Sequence, residues 1–317
     1  MASATDRPHV TVVGSYAVGL TLRTARFPGP GETVLGGDFD QGPGGKGSNQ
    51  AIQAARLGAS VELVASIGSD SFGDDAVALY EREGIGVRFL RRSADRNTGV
   101  GFIVLSEEGE NFIVLDPGAN EELSTAWVEH AFRAIGGTGA VLAQLEIPLD
   151  AALRAMELGR EAGAATILNP APARPMPTAG LEAIDVLTPN ALELRVALGV
   201  PDDAEASEHE LCTMALERGV GAVVMTRGRR GAFVVDAKGA FEIPAVPIRP
   251  VDSTGAGDAF TGCLGVELAA GRSLRDAVEL AVVAGAHACL RLGVVPGLGT
   301  RSELDALRAR FETPAKP

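Results

Sequence analysis

Residues 140–169 read AVLAQLEIPLDAALRAMELGREAGAATILN. Two short apolar runs, 140–145 and 165–169, end in polar or turn residues, and a helical pattern fills 150–162 between them. A strand, a helix and a second strand in that order form a crossover between parallel strands, because a hairpin needs only a tight turn. The same alternation extends both ways. Toward the N-terminus it predicts a first strand at 9–13 closed by Gly14, a helix at 48–57, a strand at 61–66 and a helix near 124–134. Toward the C-terminus it predicts strands at 185–187 and 221–225, helices near 190–198 and 208–218, and long helices near 256–270, 274–291 and 302–312. Buried strands alternating with helices predict an α/β fold: one domain over 1–317, three layers (α/β/α), with a mostly parallel central sheet.

Two stretches break the alternation. Residues 17–40, with the turn FPGPGE, and residues 97–116 read as antiparallel strands outside the main sheet, the second as a hairpin around Glu108-Gly109. They are either edge strands or a small β lid over a cleft. Residues 201–210, PDDAEASEHE, read as a solvated turn and helix start. There is no internal repeat and no low-complexity segment.

Composition narrows the function. The chain has 317 residues, 46% of them hydrophobic, and a formal charge of −13 from 28 Lys and Arg against 41 Asp and Glu. Such a surface repels phosphate polymers, so nucleic acid is not an expected partner, although local backbone dipoles still allow a small anion to bind. Cys212, Cys263 and Cys289 form no metal-ligand spacing, the 4 histidines are isolated, and a sparse cysteine count fits a reducing cytoplasm. The N-terminal stretch MASATDRPHV lacks the apolar core of a signal peptide, and no apolar run reaches the ~18 residues of a membrane span. The expected location is therefore the cytoplasm, with no membrane partner.

Three polar loops carry candidate chemistry. In STGAGDAF, 253–260, Gly255 and Gly257 allow successive N–H groups to be exposed at the start of an apolar helix, a place that binds phosphate oxygens. Asp258 in the first turn either complements the helix macrodipole or accepts a proton from an attacking hydroxyl. In QGPGGKGSNQA, 41–51, Gly42, Gly44 and Gly47 spell G-x-G-x-x-G, and Glu62 lies 20 residues past Gly42. A dinucleotide loop would directly follow the first strand, which ends near Gly14, and a P-loop would need Ser or Thr where Gly47 follows Lys46. The loop instead offers Lys46 and Asn49 at a helix start, suited to an anionic or polyhydroxyl ligand. In TPNALE, 188–193, Asn190 and Glu193 form a capping pair or hold the hydrated magnesium of a nucleotide. Glu146 follows a buried strand, where an acid contacts a ligand or caps the next helix.

Taken in order, FPGPGET (27–33), GGKGSNQA (44–51), IGSDSFG (67–73), PGAN (117–120), QLEIPL (144–149), LNPAPAR (168–174), TPN (188–190) and DSTGAGDAF (252–260) resemble the ribokinase-like (PfkB) family of carbohydrate kinases, nearest its ribokinase branch, over nearly the whole chain. The resemblance implies a β lid that mediates a homodimer and transfer of the ATP γ-phosphoryl group to a sugar hydroxymethyl. It implies Asp258 as catalytic base, with Gly255, Ala256 and Gly257 as its anion hole. It implies Asn190 and Glu193 as the magnesium-linked pair, with Asn190, Thr226 and Gly228 on the nucleotide side. Gly45, Lys46, Asn49 and Glu146 match sugar contacts, and Gly101 and Ile103 match lid positions. Asp252, with backbone near Thr254, Ala288, Arg291 and Gly293, matches a site for a monovalent cation such as K+, but Gly297 stands where a serine hydroxyl would complete it.

The largest departure is in the first motif. The branch reads GSxNxD, whose Asn and Asp hold sugar hydroxyls; here GSYAVGL, 14–20, has Ala17 and Gly19. A charged hydrogen bond contributes about 1.5–3 kcal/mol, so the loss predicts a substrate other than plain ribose: deoxygenated, bulkier or differently posed. Three other readings stay open at this stage: a kinase of plain ribose, an NAD-dependent dehydrogenase built on Gly42–Gly47, and a sugar-sensing module without activity.

Overall fold

The computed structural model describes residues 7–108, 110–178, 180–201 and 203–311. The chain opens with β1 (His9–Val13), then β2 (Ala17–Thr24) and β3 (Gly36–Gly44), then α1 (Lys46–Arg56), β4 (Ser60–Gly68) and α2 (Ser71–Glu83). Next come β5 (Leu90–Ser93), β6 (Gly99–Ser106), β7 (Asn111–Asp116), α3 (Thr125–Ile135), β8 (Ala140–Gln144), α4 (Leu149–Glu161), β9 (Ala165–Asn169) and β10 (Val186–Leu187). The rest comprises α5 (Ala191–Leu198), α6 (Glu208–Glu217), β11 (Ala222–Thr226), β12 (Ala232–Asp236), β13 (Gly239–Ile243), α7 (Ala256–Ala269), α8 (Leu274–Ala288), α9 (Val294–Gly297) and α10 (Arg301–Ala309).

Nine strands form the main sheet in the order β13-β12-β11-β10-β9-β8-β1-β4-β5. From β11 to β5 every pairing is parallel; β12 and β13 add an antiparallel edge. Alternation along each strand divides the core in two. Val10, Val12 and Leu142 pack with α1, α2, α7, α8 and α10 on one face, and Val13, Val141 and Ala143 pack with α3, α4, α5 and α6 on the other. These are the three layers expected from the strand–helix alternation.

The sheet order also locates a site. After β1 the chain adds β4 and β5 on one side, then returns to add β8 to β11 on the other. The β1/β8 boundary is therefore a topological switch point, where loops at the carboxyl ends of the strands part and leave a crevice.

A second sheet, in the order β3-β2-β6-β7, stands apart from the first. Its β2/β3 and β6/β7 pairs are antiparallel as expected, but the two hairpins meet through a parallel β2/β6 pairing. Sequence alternation reports which residues share a face, not which hairpin edges meet. The expected boundary at residue 40 also moves: β3 runs on to Gly44, so the first four residues of the glycine loop are lid strand and the last six are helix α1. Gly109 of the expected turn lies outside the described residues. Helix α1 begins at Lys46 rather than Ser48, and α8 ends at Ala288 rather than at 291. Helix α2, strands β5, β12 and β13 and the short α9 are additions to the sequence expectation.

Candidate active site

Asp258 lies in the first turn of α7 and is 5% exposed. The residue before that helix, Gly255, has φ 79, and a Cβ there would lie 2.4 Å from Cγ1 of Val294. Both the backbone angle and the close packing demand glycine. No side chain caps α7, and the Ala256 N–H turns back to the Ser253 carbonyl at 3.2 Å. Of the three expected anion-hole residues, Ala256 thus has its N–H engaged, while the N–H groups of Gly255 and Gly257, like that of Asp258, make no such backbone bond and are left for a ligand.

The sugar-side loop meets Asp258 from α1. Asn49 Nδ2 donates to Asp258 Oδ2 at 2.8 Å, and Gln50 Nε2 donates to Oδ1 at 3.2 Å. The Asn49 amide is thus spent on Asp258, while its Oδ1 is buried without a partner and still accepts a donor. Helix α1 starts beside β1 because Gly47 has no side chain: a Cβ there would lie 2.4 Å from the Ser15 backbone nitrogen. Two further bonds tighten the junction, from the Lys46 N–H and the Ser15 hydroxyl, both to Glu146 Oε2, at 2.8 and 2.5 Å. Glu146 therefore clamps Gly45–Lys46 at the switch point.

Lys46 is the cation of this cluster. Burial acts to lower its pKa, but Asp258, Glu146 and Glu193 together outweigh burial and raise it. Asp258 is pushed above the ordinary aspartate range by burial; Lys46 and the Asn49 and Gln50 amides pull it back, and Glu146 adds to the rise. An unpaired buried carboxylate costs several kcal/mol, so one ammonium and two amides are what make an ionised base tolerable here.

On the nucleotide side, Asn190 caps α5 and exchanges two 2.8 Å bonds with Glu193, a complete capping box. Burial raises the Glu193 pKa, while the Asn190 N–H and Lys46 oppose it. Glu193 thus caps the helix, the first of the two readings weighed from the sequence, and also belongs to the Lys46–Asp258 electrostatic cluster. Thr226, at the end of β11, pairs with Asn190 in a parallel bridge, and Gly228 opens the next turn. Arg227 pins that turn to Glu208 and Glu242, its guanidinium 5.2 Å from the Phe233 ring centroid.

Asp252 accepts backbone N–H bonds from Thr254 at 2.9 Å and Gly293 at 3.0 Å; against burial, the Thr254 side chain and these two bonds hold its pKa down. It ties the α7 entry to the loop after α8, near Ala288. The Arg291 side chain turns away to Pro296 and Glu303. A Cβ at Gly297 would lie 2.5 Å from the Ala288 carbonyl oxygen, so this backbone excludes a serine there.

In the lid, Ala17 pairs with Gly44 and Gly99, and Gly19 pairs with Gly42 and Gly101. Directly opposed residues point to one face, so across β3, β2 and β6 this face has almost no side chains until Thr21 and Ile103, with Leu115 of β7 standing beside Gly101. Tyr16 points away, packed edge-on to Tyr80 at 5.9 Å. The G-x-G-x-x-G spacing is broken in space: Gly42 and Gly44 are lid-strand residues and Gly47 is helical. Glu62 pairs instead with Arg88.

Sequence reasoning passed over four residues. Ser15 bonds Glu146, and Asn120 brackets the Tyr16 backbone with bonds of 3.0 and 2.7 Å. Gln50 and Gln144 reach Asp258 in series. The GS after the first strand and the Gln-Leu-Glu after β8 were available signals; Asn120 carries none apart from PGAN.

Residues 7–301 match the pfkB family carbohydrate kinase model. The chain belongs to the pfkB family of carbohydrate kinases. It is 33% identical over 297 residues to a ribokinase of Haemophilus influenzae, covering 94% of this chain and 97% of that one. It is 30% identical over 299 residues to a deoxyribokinase of Salmonella typhi, covering 94% and 96%. The structure of Arabidopsis thaliana ribokinase complexed with ribose and ATP superposes with a TM-score of 0.85 at 27% identity, over 95% of this chain and 98% of that one. This pfkB chain is a sugar kinase of ribokinase-like fold.

Proposed function

We propose that this kinase transfers the γ-phosphoryl group of ATP to a sugar hydroxymethyl oxygen, with Asp258 as base, and that its preferred sugar is not plain ribose. The observation that carries the catalytic reading is the buried Asp258 carboxylate at the uncapped start of α7, facing Lys46 and Asn49. Asp258 takes the hydroxyl proton as the oxygen–phosphorus bond forms and the bond to the ADP oxygen breaks. The Gly257 and Asp258 N–H groups hold the charge that develops, and Lys46 orients the acceptor. Glu146 and Asn49 Oδ1 accept sugar hydroxyl bonds, and Gly101 and Ile103 close over the sugar from the lid. Thr226 and Gly228 line the nucleotide.

Among the described residues no group of three or more His, Cys, Asp or Glu could hold a metal ion. Asn190 and Glu193 offer one amide and one carboxylate, which fits magnesium arriving with the nucleotide phosphates and linked to them through its waters. Magnesium there would neutralise phosphate charge. Asp252 and the nearby carbonyls of Thr254, Ala288, Arg291 and Gly293 suit a monovalent cation such as K+, with one oxygen fewer because of Gly297.

The substrate reading rests on Ala17 and Gly19. A Cβ built at Gly19 meets nothing closer than 3.7 Å and one at Gly42 nothing within 4 Å, so the strip is open as well as bare. A sugar deoxygenated at the facing carbons, or carrying a bulkier group there, loses nothing by the missing bonds. A coupled ADP-release assay across pentoses, deoxypentoses, hexoses, sugar acids and nucleosides tests both readings. ADP formation with no acceptor in the panel sinks the kinase reading. D-ribose outperforming every other acceptor at micromolar KM sinks the substrate reading.

The lid face turned away from Gly101 and Ile103 also carries exposed Phe102, Phe112 and Val114. We propose a second copy of this chain as their cover, since each lid would bring the same apolar area to a symmetric contact. Sedimentation should give a dimer, and Phe112→Glu with Val114→Glu a monomer; a monomeric parent overturns this. The three unpaired cysteines support a place in a reducing compartment such as the cytoplasm.

A further inference from the structure

Behind the base runs a buried chain of amides. Gln144 Nε2 donates to Gln50 Oε1 at 2.7 Å, and Gln50 Nε2 donates to Asp258 Oδ1 at 3.2 Å. Both glutamines are 0% exposed. A glutamine amide has nearly the same shape in either orientation, so Gln50 alone is free to present its oxygen to the carboxylate and repel it. With Gln50 Oε1 engaged from behind by Gln144, Nε2 is the group that faces Asp258; the Gln144 Oε1 is itself buried without a partner. Asn49 covers Oδ2 and Gln50 covers Oδ1, one donor each, which leaves lone pairs on both oxygens for an incoming hydroxyl. Gln144 ends β8, two residues before Glu146, so one strand end supports both the base and the sugar-side clamp.

We infer that Gln144 is a positioning residue for phosphoryl transfer, acting through Gln50 to hold the Asp258 carboxylate ionised and aimed. This rests on Asp258 being the base. Hydrogen bonds donated to the charged form lower a carboxyl pKa, so losing the pair moves it further up. The charged groups facing Asp258 are Lys46 on α1, Glu146 after β8 and Glu193 on α5, and none of them changes in the variants below.

The experiment compares kcat, KM and pH profiles of wild type, Gln144→Met, Gln50→Met, the double variant and Gln144→Glu, using the best acceptor from the panel and ATP. In Gln144→Met, kcat at neutral pH should fall about tenfold with both KM values within about threefold. The acidic limb of kcat/KM should move to higher pH, by up to about one unit in Gln50→Met. The double variant should match Gln50→Met, because the two residues act in series. Gln144→Glu should shift the limb furthest, since an acceptor at 144 draws the Gln50 amide away from Asp258. Melting temperatures establish folding, and if Gln144→Glu does not fold, Gln144→Met decides. An unmoved acidic limb in folded Gln144→Met overturns the inference, as does a double variant whose losses simply add. Full turnover in Asp258→Asn would instead sink the base assignment itself, so the two failures are distinguishable.

Discussion

The carboxamide of Asn49 donates a 2.8 Å hydrogen bond to Oδ2 of Asp258 across 209 residues of chain. Two helix N-termini, α1 from the lid side and α7 from the late core, meet at that bond. Helix α1 arrives there because Gly47 lets it touch the end of β1, and α7 because Gly255 lets it touch α9. The base, its cation Lys46 and the open N–H groups are therefore products of backbone packing at the switch point. They are held by rigid elements rather than by flexible loops.

Asp258→Asn should lower kcat by about 10²–10⁴-fold while nucleotide affinity stays within about twofold. The variant keeps the shape and loses the proton acceptor. Calorimetric titration of ADP beside steady-state kinetics checks both halves, and equal turnover would refute the assignment.

The pH dependence has a definite sign. Burial raises the Asp258 pKa, and only the ionised form accepts a proton, so activity should fall as pH drops through a value above the ordinary aspartate range. Lys46 opposes that rise. In Lys46→Gln, burial and Glu146 act against fewer counterweights, and the acidic limb should move to higher pH. The same variant should raise sugar KM about tenfold or more, because an acceptor-orienting cation is gone. A limb that moves to lower pH would contradict the electrostatic account.

Gly255→Ala tests the α7 entry. The new methyl would sit 2.4 Å from Val294 Cγ1 on a backbone with φ 79. Positive φ and overpacking together should cost about 1–3 kcal/mol in urea unfolding. Because the helix start must shift to relieve the contact, kcat should fall with stability. A variant as stable and active as the parent would show that the close approach is not needed.

Much of this arrangement was legible beforehand, for reasons that differ by element. The core strands at 9–13, 140–144 and 165–169 announce themselves because buried parallel strands are short apolar runs. Asp258, Lys46 and Glu146 were legible because glycine loops and strand ends are where ligands meet backbone. The parallel β2/β6 pairing was not, since the partner of a strand edge leaves no periodicity. Helix α2 went unread although it starts inside a segment quoted for the family resemblance, IGSDSFG, where Asp70 caps it through the Gly73 N–H. Gln50 and Gln144 were invisible as a pair: Gln144 is one polar residue in an apolar run, Gln50 one of several at a polar helix start, and only the fold places them 2.7 Å apart.

The bare lid strip gives the sharpest test of specificity. Ala17 and Gly19 sit on the same strand face, and a Cβ at Gly19 meets only ordinary contacts at 3.7 Å, with the Gly42 carbonyl oxygen and Ile103 Cδ1. Ala17→Asn with Gly19→Asp restores an amide and a carboxylate where the branch motif has them. If sugar hydroxyls face this strip, each recovered charged hydrogen bond contributes about 1.5–3 kcal/mol. The double variant should then gain about 10–100-fold in kcat/KM for D-ribose and lose activity toward the acceptor the parent prefers. The gain should come mainly in KM, because the new groups bind the sugar away from the reacting oxygen. A ribose kcat/KM unchanged in a folded, ATP-binding double variant would mean that the sugar lies elsewhere, and that Ala17 and Gly19 do not set the substrate.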